Sequence, residues 1–155
     1  MKVILPGSYD PVTLGHLSLI ESSAKRYDEV YVVAFINPDK KYLFSESDRV
    51  EMMKLATAHI QNVTVDFSSG LVVDYMKQKG ISKIVKGYRN DEDLAYERIQ
   101  ADFNFQNGGF ETELIRTSDS LSLVSSTEAR RLIREGKSLS GMLPEKVIEF
   151  LVAKD

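Results

Sequence analysis

Among the side chains of this sequence that could do chemistry, His16 has a telling position. It closes the stretch Gly7-Ser8-Tyr9-Asp10-Pro11-Val12-Thr13-Leu14-Gly15-His16, which directly follows an apolar run. The Thr13-Leu14-Gly15-His16 step places its imidazole in the first turn of a helix, where free backbone N–H groups and the positive end of the helix dipole attract anions. The plain alternative is a histidine that merely caps or packs. Lys40, Lys86 and Arg89 follow two further apolar runs; if these runs are parallel strands of one sheet, the three cations emerge on the same rim as His16. Three cations and a helix N-terminus converging on one cleft form a polyphosphate site, whereas scattered surface cations contribute little. Ser8 adds a hydroxyl, and Gly7 lets a ligand approach the backbone. The segment has neither the Walker spacing nor the three-glycine dinucleotide fingerprint, so ordinary P-loop and dehydrogenase chemistry is excluded.

The elements that must position these residues follow from periodicity. Short β-branched runs alternate with stretches of helical period, the pattern of a parallel sheet wrapped by helices. Strands are expected at Val3 to Leu5, stopping at Pro6-Gly7, at Glu29 to Ile36, at Asn62 to Phe67, at Lys83 to Lys86, ending at Gly87, and at Thr112 to Ile115. Glu29 to Ile36 is nearly continuously apolar and reads as a central strand buried on both faces. Helices are expected from Gly15, with Leu17, Ile20, Ala24 and Tyr27 on one face, and after the capping residues Ser45 to Asp48. Further helices are expected after Gly70, with Leu71, Val72, Tyr75 and Met76 inward, and over Asp91 to Phe105, Ser126 to Glu135 and Pro144 to Ala153. The fold class is α/β: a Rossmann-like, doubly wound, five-stranded parallel sheet with helices on both faces. In such a sheet ligands sit beyond the carboxyl ends of the strands, where the residues named above fall.

Composition narrows the classes further. A chain of 155 residues is the length of one ordinary domain, so residues 1–155 are read as a single domain with one principal site. Hydrophobic residues at 43% and charged residues at 28% predict a soluble globular chain, expected in the cytoplasm, and no segment reaches the roughly 20 apolar residues of a membrane helix. Twenty Lys and Arg against 23 Asp and Glu give a net charge of -3, too balanced for a nucleic-acid binder held by bulk charge. The sequence has no cysteine and two histidines, which excludes a disulfide framework and a cysteine nucleophile and argues against a zinc site. His59 reads as a C-terminal cap of its helix. The run Glu128 to Glu135 reads as a solvated helix face, with Arg131 left out of the site.

Gly7 to Pro11 with Thr13-Leu14-Gly15-His16 resembles the (H/T)xGH signature of the adenylyltransferase-type nucleotidyltransferases, and Val124-Ser125-Ser126-Thr127-Glu128-Ala129-Arg130 resembles their SS(S/T) signature. Within that superfamily the chain is similar to the phosphopantetheine adenylyltransferases. Asn37-Pro38-Asp39-Lys40-Lys41, Ala56-Thr57-Ala58-His59, Lys86-Gly87-Tyr88-Arg89 and Asp93-Leu94-Ala95-Tyr96-Glu97 carry the similarity over essentially the whole chain, more weakly between Asp102 and Ser120.

The resemblance implies transfer of adenylate from ATP to 4′-phosphopantetheine, giving dephospho-coenzyme A and pyrophosphate with Mg²⁺ as cofactor. It implies His16, Lys40 and Ser8 as the catalytic set. Ser8, Tyr9, His16, Gly87, Tyr88, Arg89, Glu97 and the segment Leu121, Ser122, Leu123, Val124, Ser125, Ser126 and Thr127 would hold the nucleotide. Ser8, Lys40, Val72, Lys86 and Asn104 would hold the acceptor. A homohexamer of two stacked trimers and feedback inhibition by coenzyme A are implied on the same ground. The chain departs from the family in having Lys86 where Arg is common, so a point charge replaces a two-pronged donor. Ser8 stands where Thr is frequent. The alternatives are an adenylyl- or cytidylyltransferase for another phosphate monoester, such as nicotinamide mononucleotide or glycerol phosphate, and a non-catalytic module that senses nucleotide.

Overall fold

The computed structural model describes residues 1–154. Five strands alternate with helices: β1 (Lys2–Gly7), α1 (Leu14–Arg26), β2 (Glu29–Phe35), α2 (Glu46–Thr57), β3 (Val63–Ser68), α3 (Val72–Lys79), β4 (Lys83–Tyr88), α4 (Asp91–Gly108) and β5 (Glu111–Arg116). A short 3₁₀ turn (Asp119–Leu121), α5 (Ser126–Arg134) and α6 (Glu145–Ala153) complete the chain. The strands form one all-parallel sheet in the order β3-β2-β1-β4-β5. The chain starts in the middle, winds out to one edge and then crosses back to the other. The topological switch therefore lies between β1 and β4, where an open α/β sheet forms its ligand crevice.

Strand alternation sorts the core into two layers. Val3, Leu5, Val32, Ala34 and Val85 face one side with Ile20 of α1, Met52, Met53 and Ala56 of α2, Ala129 of α5 and Val147 of α6. Ile4, Val33 and Ile84 face the other, packed against Tyr75 and Met76 of α3. Helices thus cover both faces of a doubly wound sheet, as the sequence pattern predicts.

The crevice has a structural cause. β1 pairs with β2 along its length, from Lys2 opposite Glu29 to Gly7 opposite Ala34, but with β4 only at Val3–Lys83 and Ile4–Ile84. Beyond Ile4 the two central strands part. Strand β1 runs on through Pro6 and Gly7 instead of stopping there: Pro6, which has no N–H to give, lies past the paired part of this seam. The freed Pro6 carbonyl accepts from Lys86 Nζ at 3.2 Å. Strand β4 likewise continues through Gly87 to Tyr88.

Two further expectations are corrected. Leu71 is not inward but 52% exposed, because it is the N-cap of α3 and lies outside its apolar stripe. His59 does not cap α2, whose C-cap is Ala58; its Nε2 instead lies 2.9 Å from Glu21 Oε2 on the neighbouring α1. Among the described residues, no helix is long and apolar enough to cross a membrane.

Candidate active site

The parted ends of β1 and β4 open onto a cleft with two lobes. The first, about 400 Å³, is lined by His16, Gly87, Arg89, Val124, Ser125, Ser126 and Thr127 together with Asp93, Thr117 and Arg130. The second, about 440 Å³, is lined by Val72 and Asn104 together with Asn37, Gln100 and Thr112. Pro6, Gly7, Ser8, Lys40, Lys86, Tyr96 and Glu97 line both. Of the residues expected on the nucleotide side, Tyr9, His16, Gly87, Arg89 and Val124 to Thr127 line the first lobe alone; of those expected on the acceptor side, Val72 and Asn104 line the second alone; Ser8, Lys40, Lys86 and Glu97 border both.

His16 proves to be both cap and cleft residue. It occupies the third helical position of α1, where its Nδ1 accepts from the Thr13 backbone N–H at 2.9 Å while the Thr13 hydroxyl accepts from the His16 N–H at 3.3 Å, a reciprocal capping box. With Nδ1 committed as an acceptor, a neutral ring carries its proton on Nε2. Burial first, then the nearby charges of Lys86 and Arg89, lower its pKa to about 4. The cleft therefore holds a neutral imidazole with a fixed N–H donor at neutral pH. In the substrate-free protein, the His16 ring resonances are expected to stay constant from pH 8 to about pH 5.5 and to titrate near pH 4, against about 6.5 for an unfolded histidine. Between those values the unfolded chain binds a proton that the folded chain does not. Stability is therefore unaffected by this group above about pH 6.5 and falls as pH drops from there toward 4. Histidine NMR and denaturant unfolding across this range check both statements.

Tyr9 packs beneath. Its ring centroid lies 4.7 Å from that of His16, its hydroxyl donates to the Leu5 carbonyl at 2.7 Å, and burial raises its pKa. That hydroxyl is thus already engaged, so Tyr9 supports His16 and offers a nucleotide only its ring and backbone. Gly7 serves this packing as well: a Cβ there would meet the Tyr9 ring at 3.2 Å. Gly7 lines both lobes, so its bare backbone leaves room for the aromatic ring as well as for a ligand.

The cations are not equivalent. Arg89 is held by Asp93 on the first turn of α4 at 2.8 Å, Lys86 Nζ lies 3.5 Å from Glu97 Oε2, and Arg130 Nη1 lies 4.0 Å from Asp10 Oδ2. Lys40 Nζ donates to the Ser8 hydroxyl at 3.0 Å and, among the described residues, is the one cation lining the cleft with no carboxylate within ion-pair distance. Glu97 is 9% exposed. Burial raises its pKa against the opposing pull of Lys86, and Oε2 makes no hydrogen bond. An anion entering beside Lys86 would thus compete with a poorly solvated carboxylate.

The Ser-rich segment assembles only in part. Val124 is buried, Ser125 caps α5 by accepting from the Glu128 N–H at 3.0 Å, and Ser126 Oγ donates to the Pro11 carbonyl at 2.7 Å, which ties α5 to the His16 loop. Leu121, Ser122 and Leu123 do not line the cleft, and Leu123 is 83% exposed. Tyr88 also lies off it, although its carbonyl accepts from the Thr117 N–H at 2.8 Å and so braces a lining residue. Arg130 corrects the reading of α5 as a wholly solvated face: Arg131 pairs outward with Glu128 and Glu135, but Arg130 turns into the cleft and donates to the Asp10 carbonyl at 2.8 Å. Its place one turn after Thr127 was the available signal. Asp93 and Tyr96 lie in the Asp93-to-Glu97 motif, which by itself assigns them no role, whereas Thr117, Gln100 and Thr112 carried no comparable mark in the sequence.

Comparison with known proteins shows the family. The Cytidylyltransferase-like family matches residues 4–132. A phosphopantetheine adenylyltransferase of Corynebacterium efficiens is 39% identical over 155 residues, covering 99% of this chain and 98% of its own. A crystal structure from Vibrio parahaemolyticus, described as a candidate nicotinate-nucleotide adenylyltransferase, superposes with a TM-score of 0.66 at 18% identity, covering 97% of this chain and 98% of its own. That likeness bears on the fold alone.

Proposed function

The chain belongs to the phosphopantetheine adenylyltransferases within the Cytidylyltransferase-like family, and from that premise we propose that the first lobe binds ATP and the second 4′-phosphopantetheine. The enzyme transfers adenylate from one to the other and releases pyrophosphate. The observation that carries the assignment of lobes is the shared wall: Ser8, Lys40 and Lys86 border both cavities, with His16 on one side and Val72 and Asn104 on the other.

An oxygen of the acceptor phosphate attacks the α-phosphorus of ATP. A new P–O bond forms, the bond to the bridging α,β-oxygen breaks, and pyrophosphate leaves with the electron pair. The nucleophile is already an anion, so no general base is needed; what the site must supply is alignment and neutralisation of charge. Lys40, with Ser8, holds the acceptor phosphate at the boundary between the lobes. His16 donates its Nε2–H to the α-phosphoryl oxygen as charge builds there, a role that its neutral state with Nδ1 capped permits without a proton being exchanged. In the first turn of α1 the Leu14 N–H donates to the Met142 carbonyl and the His16 N–H to the Thr13 hydroxyl, which leaves the Gly15 N–H for the phosphates, and Arg89, Arg130 and the α5 N-terminus, with Ser125 and Thr127, face the triphosphate. Gly87 and Val124 border the adenosine.

Mg²⁺ would be brought to the site by ATP. Among the described residues no group of three or more His, Asp or Glu is arranged as a cage, and the cleft carboxylates Asp93 and Glu97 are engaged by Arg89 and Lys86. This donor set suits a cation held chiefly by phosphate oxygens, where it would neutralise charge on the leaving group.

Residues 1–155 form one nucleotidyltransferase domain working in the cytoplasm. A homohexamer needs apolar contact between copies, and Ile99 and Phe103, one turn apart on α4 and both exposed, offer it. Coenzyme A, which combines both halves of the product, would inhibit by spanning the two lobes. Pyrophosphate release from ATP and Mg²⁺ with a panel of phosphate-monoester acceptors tests the assignment: turnover with 4′-phosphopantetheine is expected, and its absence would refute it.

A further inference from the structure

Tyr42 lines neither lobe, yet it touches the residues that do. It lies on the loop between β2 and α2, and its hydroxyl accepts from the Asn37 backbone N–H at 2.9 Å, folding the ring back onto the end of β2. The ring faces two cations, the Arg49 guanidinium 3.9 Å from its centroid and Lys40 Nζ at 5.6 Å.

Arg49 is unusual by itself. It is 2% exposed, its Nε has no hydrogen-bond partner, and among the described residues no carboxylate lies within ion-pair distance of it. A buried cation without a counter-ion is costly. What Arg49 has instead is the face of Tyr42 and the Ser8 carbonyl, to which Nη1 donates at 3.0 Å. The loops carrying Ser8 and Lys40 are therefore joined twice, through Arg49 and Tyr42 and through Lys40 Nζ and Ser8 Oγ.

We propose that Tyr42 is a positioning residue for the acceptor phosphate: its ring face, anchored on the buried Arg49, holds the Lys40 ammonium beside the Ser8 hydroxyl before substrate arrives. The proposal rests on the reading that Lys40 and Ser8 meet that phosphate. A lysine on its flexible four-carbon stem loses rotamer freedom when it binds, and a prearranged one loses less. The consequence falls on acceptor affinity and leaves ATP affinity alone.

The test replaces Tyr42 in the full chain by phenylalanine and then by mono-, di- and trifluorophenylalanine. Fluorination weakens the cation-binding face with little change of shape, so misfolding does not obscure the result. The acceptor KM is expected to rise stepwise to about tenfold across the series with the ATP KM constant, while the melting temperature falls slightly because the same ring face meets Arg49. A flat acceptor KM, or a joint rise of both KM values, would overturn the proposal. Calorimetry with 4′-phosphopantetheine on K40A and on Y42L/K40A completes it: Y42L should add no further loss once Lys40 is gone, and a full additional loss would also overturn it. If K40A binds the acceptor as the wild type does, the acceptor-site reading itself fails; a flat fluorine series with K40A impaired refutes Tyr42 alone.

Discussion

Replacing His16 by alanine is expected to lower kcat by about 10²-fold or more while both KM values move by less than about threefold. The expectation follows from the position of the ring. Its Nδ1 is occupied by the Thr13 N–H, and its pKa of about 4 keeps it neutral. What it can give the reaction is one aimed N–H, most useful where charge accumulates in the transition state. Alanine also removes the reciprocal half of the capping box, the acceptor for the Thr13 N–H, while the Thr13 hydroxyl still caps the helix, so a fall in stability of about 1 kcal/mol accompanies the change. H16Q separates the two effects, because glutamine at this position restores the Thr-x-x-Gln capping box. Stability is expected to recover in H16Q and the rate to stay low. A rate that recovered with stability would mean that His16 acts only by building the helix start.

The second large effect is expected at Lys40. K40A should lower kcat/KM for the acceptor by about 10²-fold, with the ATP KM changed less than about threefold, as fits the loss of a charge-assisted hydrogen bond to phosphate. Lys86 makes the informative contrast. It is paired with Glu97 at 3.5 Å and bonded to the Pro6 carbonyl, so its removal leaves a buried carboxylate uncompensated. K86A is therefore expected to lose stability as well as acceptor affinity, whereas K40A, lying at a boundary without a carboxylate, should keep the stability of the parent. Steady-state kinetics with each substrate varied in turn, together with denaturant unfolding, distinguish the two lysines.

The alternation of β-branched runs with helical periods made the doubly wound sheet legible, and His16 was readable because Thr13 and Gly15 mark a helix start. The crevice was not legible. It depends on β1 leaving β4 after Ile4, and strand pairing beyond a residue leaves no trace in composition. The convergence of Lys40, Lys86 and Arg89 was readable from the strand ends, but not their inequality, because Glu97 reaches Lys86 only once α4 is laid across β4. Arg49 follows Ser45-Glu46-Ser47-Asp48 and has the look of a polar helix surface; it is buried because Ser8 comes to it from the loop after β1 and Tyr42 folds back over it from the loop that leads into α2. Arg130 and Arg131 are adjacent and chemically alike, and only the 100° turn between them on α5 sends one to the cleft and the other to solvent.

Direct attack of the acceptor phosphate on the α-phosphorus of ATP, across the boundary between the lobes, has a stereochemical signature. Turnover of a single diastereomer of ATP bearing sulfur at the α-phosphorus, followed by assignment of configuration in the product, reads it out. One in-line displacement predicts inversion. Retention would require two displacements, through a covalent nucleotidyl intermediate on the protein, and would contradict the mechanism.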